Sequence, residues 1–196
     1  MVNTSQKLKR RTVVSQIVQK CSKARIISGL GSPTYDLHNA GDHERNFYLW
    51  GAMGGAAMTG LGLALAKPDL PVIVITGDGE QLMGMGSLAT IGVQQPKNLA
   101  IIVLDNGYFG ETGMQESHTS NGVDLKIIAE GSKFKHSLTI TNHSDMQVLF
   151  KLLPPSEGPL FFNIKVDNEN LNRSLPILDG VELKNRFRRS LGFEPK

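Results

Sequence analysis

Two short stretches of the chain are almost without polar positions: residues 71–76 (PVIVIT) and 99–104 (LAIIVL). Continuous β-branched and aliphatic runs, rather than alternating ones, mark strands covered on both faces, as in a parallel sheet. Between them, Leu82, Met85, Ala89 and Val93 recur at helical spacing. They predict one helix over residues 82–94, with Met83 and Met85 as core residues. A strand, a helix and a second parallel strand of these lengths make one crossover unit.

The pattern extends in both directions. Val13, Val14, Ile17 and Val18 predict an amphipathic helix over residues 8–20, followed by a short strand over 25–28. Gly29 and Gly31 punctuate, and Ser32 followed by Pro33 opens a helix. Residues 47–50 read as a brief extended run. Residues 54–66 are small and apolar nearly all round, which predicts a buried helix ended by Lys67-Pro68. Downstream, helices are expected over 123–131 and 144–153, and strands over 137–141 and 159–166. Asp145 lies in the first turn of its helix, where a carboxylate is favoured. A polar linker over 168–179 leads to a basic helix over 180–191. The expected fold is α/β: a doubly wound, mainly parallel sheet with helices on both faces, forming a single domain over residues 1–196.

Composition narrows the classes open to such a fold. With 196 residues, 21 of them Gly and 9 Pro, the chain is neither collagen-like nor disordered. Its one cysteine, Cys21, excludes an internal disulfide, a zinc site or a cysteine-ligated iron–sulfur cluster. No apolar run approaches the roughly 18 residues of a membrane span. The basic, polar stretch 1–23 lacks a signal-peptide core, so no membrane partner is expected and the default compartment is the cytoplasm. A net charge of +3 is exceeded by Lys184, Arg186, Arg188 and Arg189 alone. That basicity suits a solvated face or a docking surface and argues against a nucleic-acid partner.

Chemistry-bearing residues gather where the two clearest strands end. The first runs into Gly77-Asp78-Gly79 and the second into Asp105-Asn106-Gly107-Tyr108-Phe109-Gly110. In open parallel sheets, ligands bind outside the carboxyl ends of the strands. Glycines flanking Asp78 let the backbone turn sharply and bring N–H groups towards an anion. A carboxylate, an amide oxygen and a backbone carbonyl are hard ligands that, with phosphate oxygens, suit Mg²⁺. Either aspartate or asparagine taken alone is an ordinary turn residue; the spacing across one crossover makes the pair informative.

Gly77-Asp78-Gly79 followed at a distance by Asn106 resembles the motif of thiamine-diphosphate-dependent decarboxylases. Gly51-Ala52-Met53-Gly54-Gly55-Ala56 resembles the segment that opens the cofactor-proximal helix in the same family, and residues 65–71 between the signatures also fit. The likeness covers about residues 45–170 and implies the family's C-terminal diphosphate-binding domain. It implies that Asp78 and the Asn106 side chain coordinate Mg²⁺ together with the Tyr108 carbonyl, within a loop that includes Phe109 and Gly110. Backbone at Gly77, Gly79 and Glu80 would meet the diphosphate. Met53 would wedge beneath the cofactor and hold it in a V, its N–H and the Gly51 carbonyl meeting the pyrimidine. That shape makes cofactor deprotonation intramolecular and leaves the thiazolium as electron sink for loss of CO₂.

Two positions depart from the family's pattern. Glu80 stands where many relatives have a small residue, and its side chain is expected to point away from the diphosphate. Asp105 replaces the first Asn of a common Asn-Asn pair and adds charge. Within the family, residues 88–92 and Gly113-Met114-Gln115 are most similar to the sulfopyruvate and phosphonopyruvate decarboxylases, although Met114 and residues 116–118 differ. The resemblance implies a subunit whose active site is completed by a separate pyrimidine-binding α subunit, in an α₂β₂ or larger assembly. The activating Glu would lie on that partner, and the substrate would be a small anionic 2-oxo acid. A carboligase of the acetolactate synthase type, or a non-catalytic cofactor-binding subunit, is the alternative. His118, after the metal loop, is placed to reach the substrate's anionic group or shuttle a proton, or else is a surface residue; Glu111 is a weaker candidate of the same kind. His38 and His43 read as solvated loop residues, and His136 and His143 carry no assigned role.

Overall fold

A computed structural model describes residues 7–194; residues 1–6 and 195–196, which belong to the polar start and basic end read above, lie outside the described residues. Six parallel strands form one sheet in the order β2-β1-β3-β4-β8-β7. They are β1 (Arg25–Ser28), β2 (Asn46–Tyr48), β3 (Val72–Gly77), β4 (Leu99–Asp105), β7 (His136–Ile140) and β8 (Leu160–Lys165). A two-stranded antiparallel ribbon, β5 (Tyr108–Phe109) with β6 (Gln115–Glu116), projects beyond the end of β4. The central strands β3 and β4 are buried along almost their whole length, which is why their sequences do not alternate.

Helices cover both faces. α1 (Arg10–Lys20), α2 (Ser32–Asn39), α7 (His143–Leu152) and α8 (Gly180–Ser190) pack on one side, with Val14, Ile17, Leu37, Leu149 and Leu183 against Ile73 and Ile102. On the other, α3 (Ala56–Ala66), α5 (Gly86–Gln94) and α6 (Leu125–Gly131) contribute Ala57, Leu61, Leu88, Ile91 and Leu125 against Val74 and Ile101. After β1 the chain moves through α2 to β2, then returns through α3 to β3 on the opposite side of β1. The neighbouring strands β1 and β3 therefore send their connections in opposite directions, β1 towards β2 and β3 towards β4, and open a crevice at their carboxyl ends, the usual position for a ligand in such sheets.

The sequence expectations need three corrections. The single helix over 82–94 is two: α4 (Asp78–Met83) begins on the Asp-Gly turn itself and stops at Gly84 before α5 begins. Gly84 stops it because the backbone lies against Gly54; a Cβ there would stand 2.3 Å from the Gly54 carbonyl oxygen. Met83 and Met85 flank this contact and are exposed rather than core. Likewise α3 is buried on one face only, leaving Met58 and Leu65 in solvent. The basic α8 is not merely a solvated face: Phe187 meets Phe47 and Arg186 makes a two-pronged ion pair with Asp42.

Candidate functional site

The crevice is walled by three loops. After β1 come Leu30, Ser32 and Pro33; after β3, residues 77–80; after β4, Asn106, Tyr108, Phe109 and Gly110. Met53, from the turn before α3, and Arg10, from α1, complete a cavity of about 100 Å³. Of the residues singled out from sequence, Met53, Gly77, Asp78, Gly79, Glu80, Asn106, Tyr108, Phe109 and Gly110 line this one cleft. Gly51 is exposed outside the lining. His118 also lies outside it, exposed on a 3₁₀ turn with its ring edge-on to Phe109 at 5.8 Å.

Of the two glycines around Asp78, Gly79 is explained by close approach. A Cβ on Gly79 would sit 2.7 Å from the Phe109 ring, so the loop after β4 rests directly on the start of α4. Gly107, at φ +81°, turns the chain out of β4 in a conformation few other residues adopt. Asn106 Oδ1 accepts from the Tyr108 N–H at 2.9 Å, which fixes the amide at the mouth of that turn.

Asp78 is 2% exposed, and its Oδ2 accepts from the hydroxyls of Ser117 and Thr119. Burial raises its pKa above the ordinary carboxylate range, against the Ser117 hydrogen bond, and the neighbouring Asp105 charge adds to the rise. Glu80 is buried too, its carboxylate turned to the Leu30 N–H at 3.0 Å and the Thr76 hydroxyl at 2.8 Å. Burial raises its pKa, and these hydrogen bonds offset part of the rise. Its Oε1 has no hydrogen-bond partner among the described residues. A Cβ on Gly29 would overlap the Glu80 carboxylate, so the loops after β1 and β3 are joined through this side chain. The extra charge at Asp105 is answered: Oδ2 accepts from Lys165 at 2.6 Å and Asn163 at 2.9 Å, Oδ1 from Thr119 and the Gly107 N–H.

Sequence reasoning missed Arg10, Leu30, Ser32 and Pro33 as walls of the cleft. The turn after β1 was visible as Gly-Leu-Gly-Ser-Pro, but its place beside Asp78 follows only from the strand order. No group of three or more His, Cys, Asp or Glu side chains that could hold a metal exists among the described residues. A cation here would have to be shared between one carboxylate, an amide, backbone carbonyls and ligand oxygens. Nor is any helix among the described residues long and apolar enough to cross a membrane.

A parallel sheet with a glycine-lined, carboxylate-bearing crevice at its reversal point belongs to a recognised class. Residues 31–164 match the family model described as thiamine pyrophosphate enzyme, C-terminal TPP binding domain, and the chain belongs to that family. Among curated relatives it is 46% identical over 124 residues to sulfopyruvate decarboxylase subunit beta of Methanocaldococcus jannaschii, covering 63% of this chain and 65% of that one. It is 36% identical over 166 residues to phosphonopyruvate decarboxylase of Streptomyces viridochromogenes, spanning 84% of this chain but 41% of the relative. Against sulfopyruvate decarboxylase subunit beta of Methanococcus maripaludis it is 33% identical over 180 residues, 92% of this chain and 96% of that one. The fold matches a solved structure assigned to the thiamin diphosphate-dependent enzymes, from Mycobacterium smegmatis, with a TM-score of 0.71 at 19% identity. That match covers 83% of this chain and 32% of the other.

Proposed function

We propose that this chain is the diphosphate-binding β subunit of a Mg²⁺- and thiamine-diphosphate-dependent 2-oxo acid decarboxylase, completed by a pyrimidine-binding α subunit. The observation that carries the reading is the electrostatic state of Asp78. It is a buried carboxylate lining the cleft at the strand ends, with hydroxyl partners and no ion pair among the described residues. A buried negative charge of that kind is costly unless a cation meets it. Asp78, the Asn106 amide oxygen and the Tyr108 carbonyl supply the hard oxygens that Mg²⁺ takes alongside phosphate. When bound, the cofactor supplies an electron sink for the carbanion left by loss of CO₂.

The chain's own residues would hold and orient that group. Gly77, Gly79 and Glu80 present backbone to the diphosphate, with the Phe109 ring closing the far wall above Gly79. Met53 is 38% exposed at the cleft rim, free to support an occupant from below, with Gly51 exposed two residues before it. Support for a partner comes from the apolar residues left in solvent on this side: Met53, Met58, Met83 and Met85. Methionines fit varied surfaces and bury well in an interface. His118 belongs to this reading as a residue that meets substrate only once the partner narrows the mouth.

The substrate class follows the relatives: a small 2-oxo acid with a second anionic group, either sulfonate or phosphonate. Co-expression with the pyrimidine-binding subunit and assay of CO₂ release from a panel of 2-oxo acids tests it. Release from 3-sulfopyruvate or 3-phosphonopyruvate, with none from the chain alone, is expected. Acetolactate formed from pyruvate would replace the decarboxylase reading with a carboligase one. Robust turnover by the isolated chain would overturn the split site.

A further inference from the structure

Arg10 is a buried cation with no part in the site as described so far. It opens α1, is 6% exposed, and yet lines the same cleft as Asp78 and Asn106. Its Nε donates to Asp36 Oδ2, and Asp36, in α2, is fully buried. The neighbouring Arg11 donates its own Nε to Asp36 Oδ1 at 2.9 Å and an Nη2 to the Asn172 carbonyl at 2.8 Å. One carboxylate thus serves two guanidinium groups, and the triad keeps a net positive charge. Arg11 does not line this cleft; it faces the adjoining hollow beside Arg173. Arg10 Nη1 and Nη2 make no hydrogen bond to any described residue.

Arg10 is also the one basic side chain among the residues lining the cleft, where the other charged groups are Asp78, Glu80 and Glu111. A diphosphate carrying one divalent cation is still negative, and while Glu111 has Arg173 at 3.7 Å, Asp78 and Glu80 have no ion pair among the described residues, so a further cation favours its retention. A guanidinium held by its Nε presents two parallel Nη donors, the geometry that suits a tetrahedral oxyanion. We propose that Arg10 is a phosphate-type oxyanion-binding residue of this cleft, with Asp36 as the group that positions it. The proposal rests on the cofactor-binding reading and adds a binding residue to it. The oxyanion is the terminal phosphate of the cofactor or the sulfonate or phosphonate of the substrate; both offer the same three oxygens.

The test uses the full chain and two probes in calorimetry: inorganic pyrophosphate with Mg²⁺, and 3-phosphonopropionate, a substrate-like dianion without the reactive carbonyl. Arg10→Gln is expected to weaken one of them roughly tenfold or more, the range for a charged hydrogen bond lost. Arg11→Gln removes an equal contact to Asp36 without touching the cleft, so its affinity should stay within about twofold. Loss confined to pyrophosphate assigns Arg10 to the cofactor, and loss confined to phosphonopropionate assigns it to the substrate. Equal losses in Arg10→Gln and Arg11→Gln would overturn the proposal, since both would then act through Asp36 packing alone. Unchanged affinity for both probes in Arg10→Gln, with pyrophosphate bound by the wild type, would overturn it while leaving the cofactor reading intact. Failure of the wild-type chain to bind Mg²⁺–pyrophosphate overturns the cofactor reading and Arg10 with it. If Arg10→Gln does not fold, as judged by its melting curve, Arg10→Lys carries the same comparison: charge beside Asp36 is kept and the paired Nη donors are lost.

Discussion

The loops after β3 and β4 begin alike and end differently. Each central strand delivers a buried aspartate at its carboxyl end, Asp78 and Asp105, and a single hydroxyl, Thr119, lies within reach of both. Asp105 has Lys165 directly across the register on β8, with Asn163 and the Gly107 N–H completing its shell. Among the described residues, the side-chain donors to Asp78 are Ser117 and Thr119. One aspartate is therefore structural, its charge cancelled within the fold. The other is held in place but left electrically open, and that asymmetry points to the occupant of the cleft.

The largest expected effect breaks the open end. Asp78→Asn should lower Mg²⁺-dependent thiamine diphosphate affinity by more than the roughly hundredfold typical of losing an outer-shell partner. The same variant's metal-free melting temperature should be unchanged or raised, because a buried charge has gone; calorimetry and thermal melts read the two effects separately. Unchanged affinity would remove Asp78 from the metal site. Asp105→Ala is the mirror experiment. It strands Lys165, Asn163, Thr119 and the Gly107 N–H, and should cost about 2–3 kcal/mol of stability by denaturant titration. If both substitutions merely destabilise, the distinction between the two loops fails.

A pH series sharpens the contrast further. Burial raises the folded pKa of Asp78, so proton binding competes with metal at higher pH than it would for an ordinary aspartate. Affinity for Mg²⁺ should climb roughly tenfold per pH unit below that pKa and level off above it. For the metal-free chain the sign is opposite. A raised folded pKa gives stability that is fully present below the unfolded value and lost as pH rises through the folded one. In Asp78→Asn the first dependence should flatten and the second should shrink, the remainder coming from Glu80, whose pKa burial also raises. The smallest effect concerns the exposed methionines. Met83→Ser should weaken association with the partner subunit by about 1–2 kcal/mol, from the apolar area no longer buried. The chain's own melting temperature should hold, since Met83 is 64% exposed.

Legibility in sequence followed the range of the interaction. Asp78 with its glycines, and Asn106 with Gly107, are local devices in which the backbone must turn or be approached closely, so residue types reveal them. Lys165 is remote in sequence from Asp105, and Arg10 from Asp36; strand order and helix packing alone bring those charges together. The central strands were readable because burial on both faces leaves a continuous apolar run. Helical periodicity over 82–94 misled for a physical reason: Met83, Met85 and Val93 are apolar and exposed. Apolar residues left in solvent carry the composition of a core, and no single sequence separates the two. Glu80 was readable as a departure, but its link to the loop after β1 required the crevice itself.

The hydroxyl pair beside Asp78 raises a question of proton supply. Ser117 Oγ touches Asp78 and, at 2.9 Å, Thr119 Oγ1, which in turn touches Asp105 at 2.8 Å. Two hydroxyl hydrogens serve these three contacts. If each is given to its carboxylate, none remains between the two oxygens. A hydrogen on Asp78 itself would complete the chain, with Asp78 donating to Ser117 and Ser117 to Thr119. Loading a divalent ion would then expel that hydrogen to solvent, and the heat of binding would vary with the ionisation enthalpy of the buffer. Filling the cleft would thus leave a chemical trace in the medium, apart from any turnover.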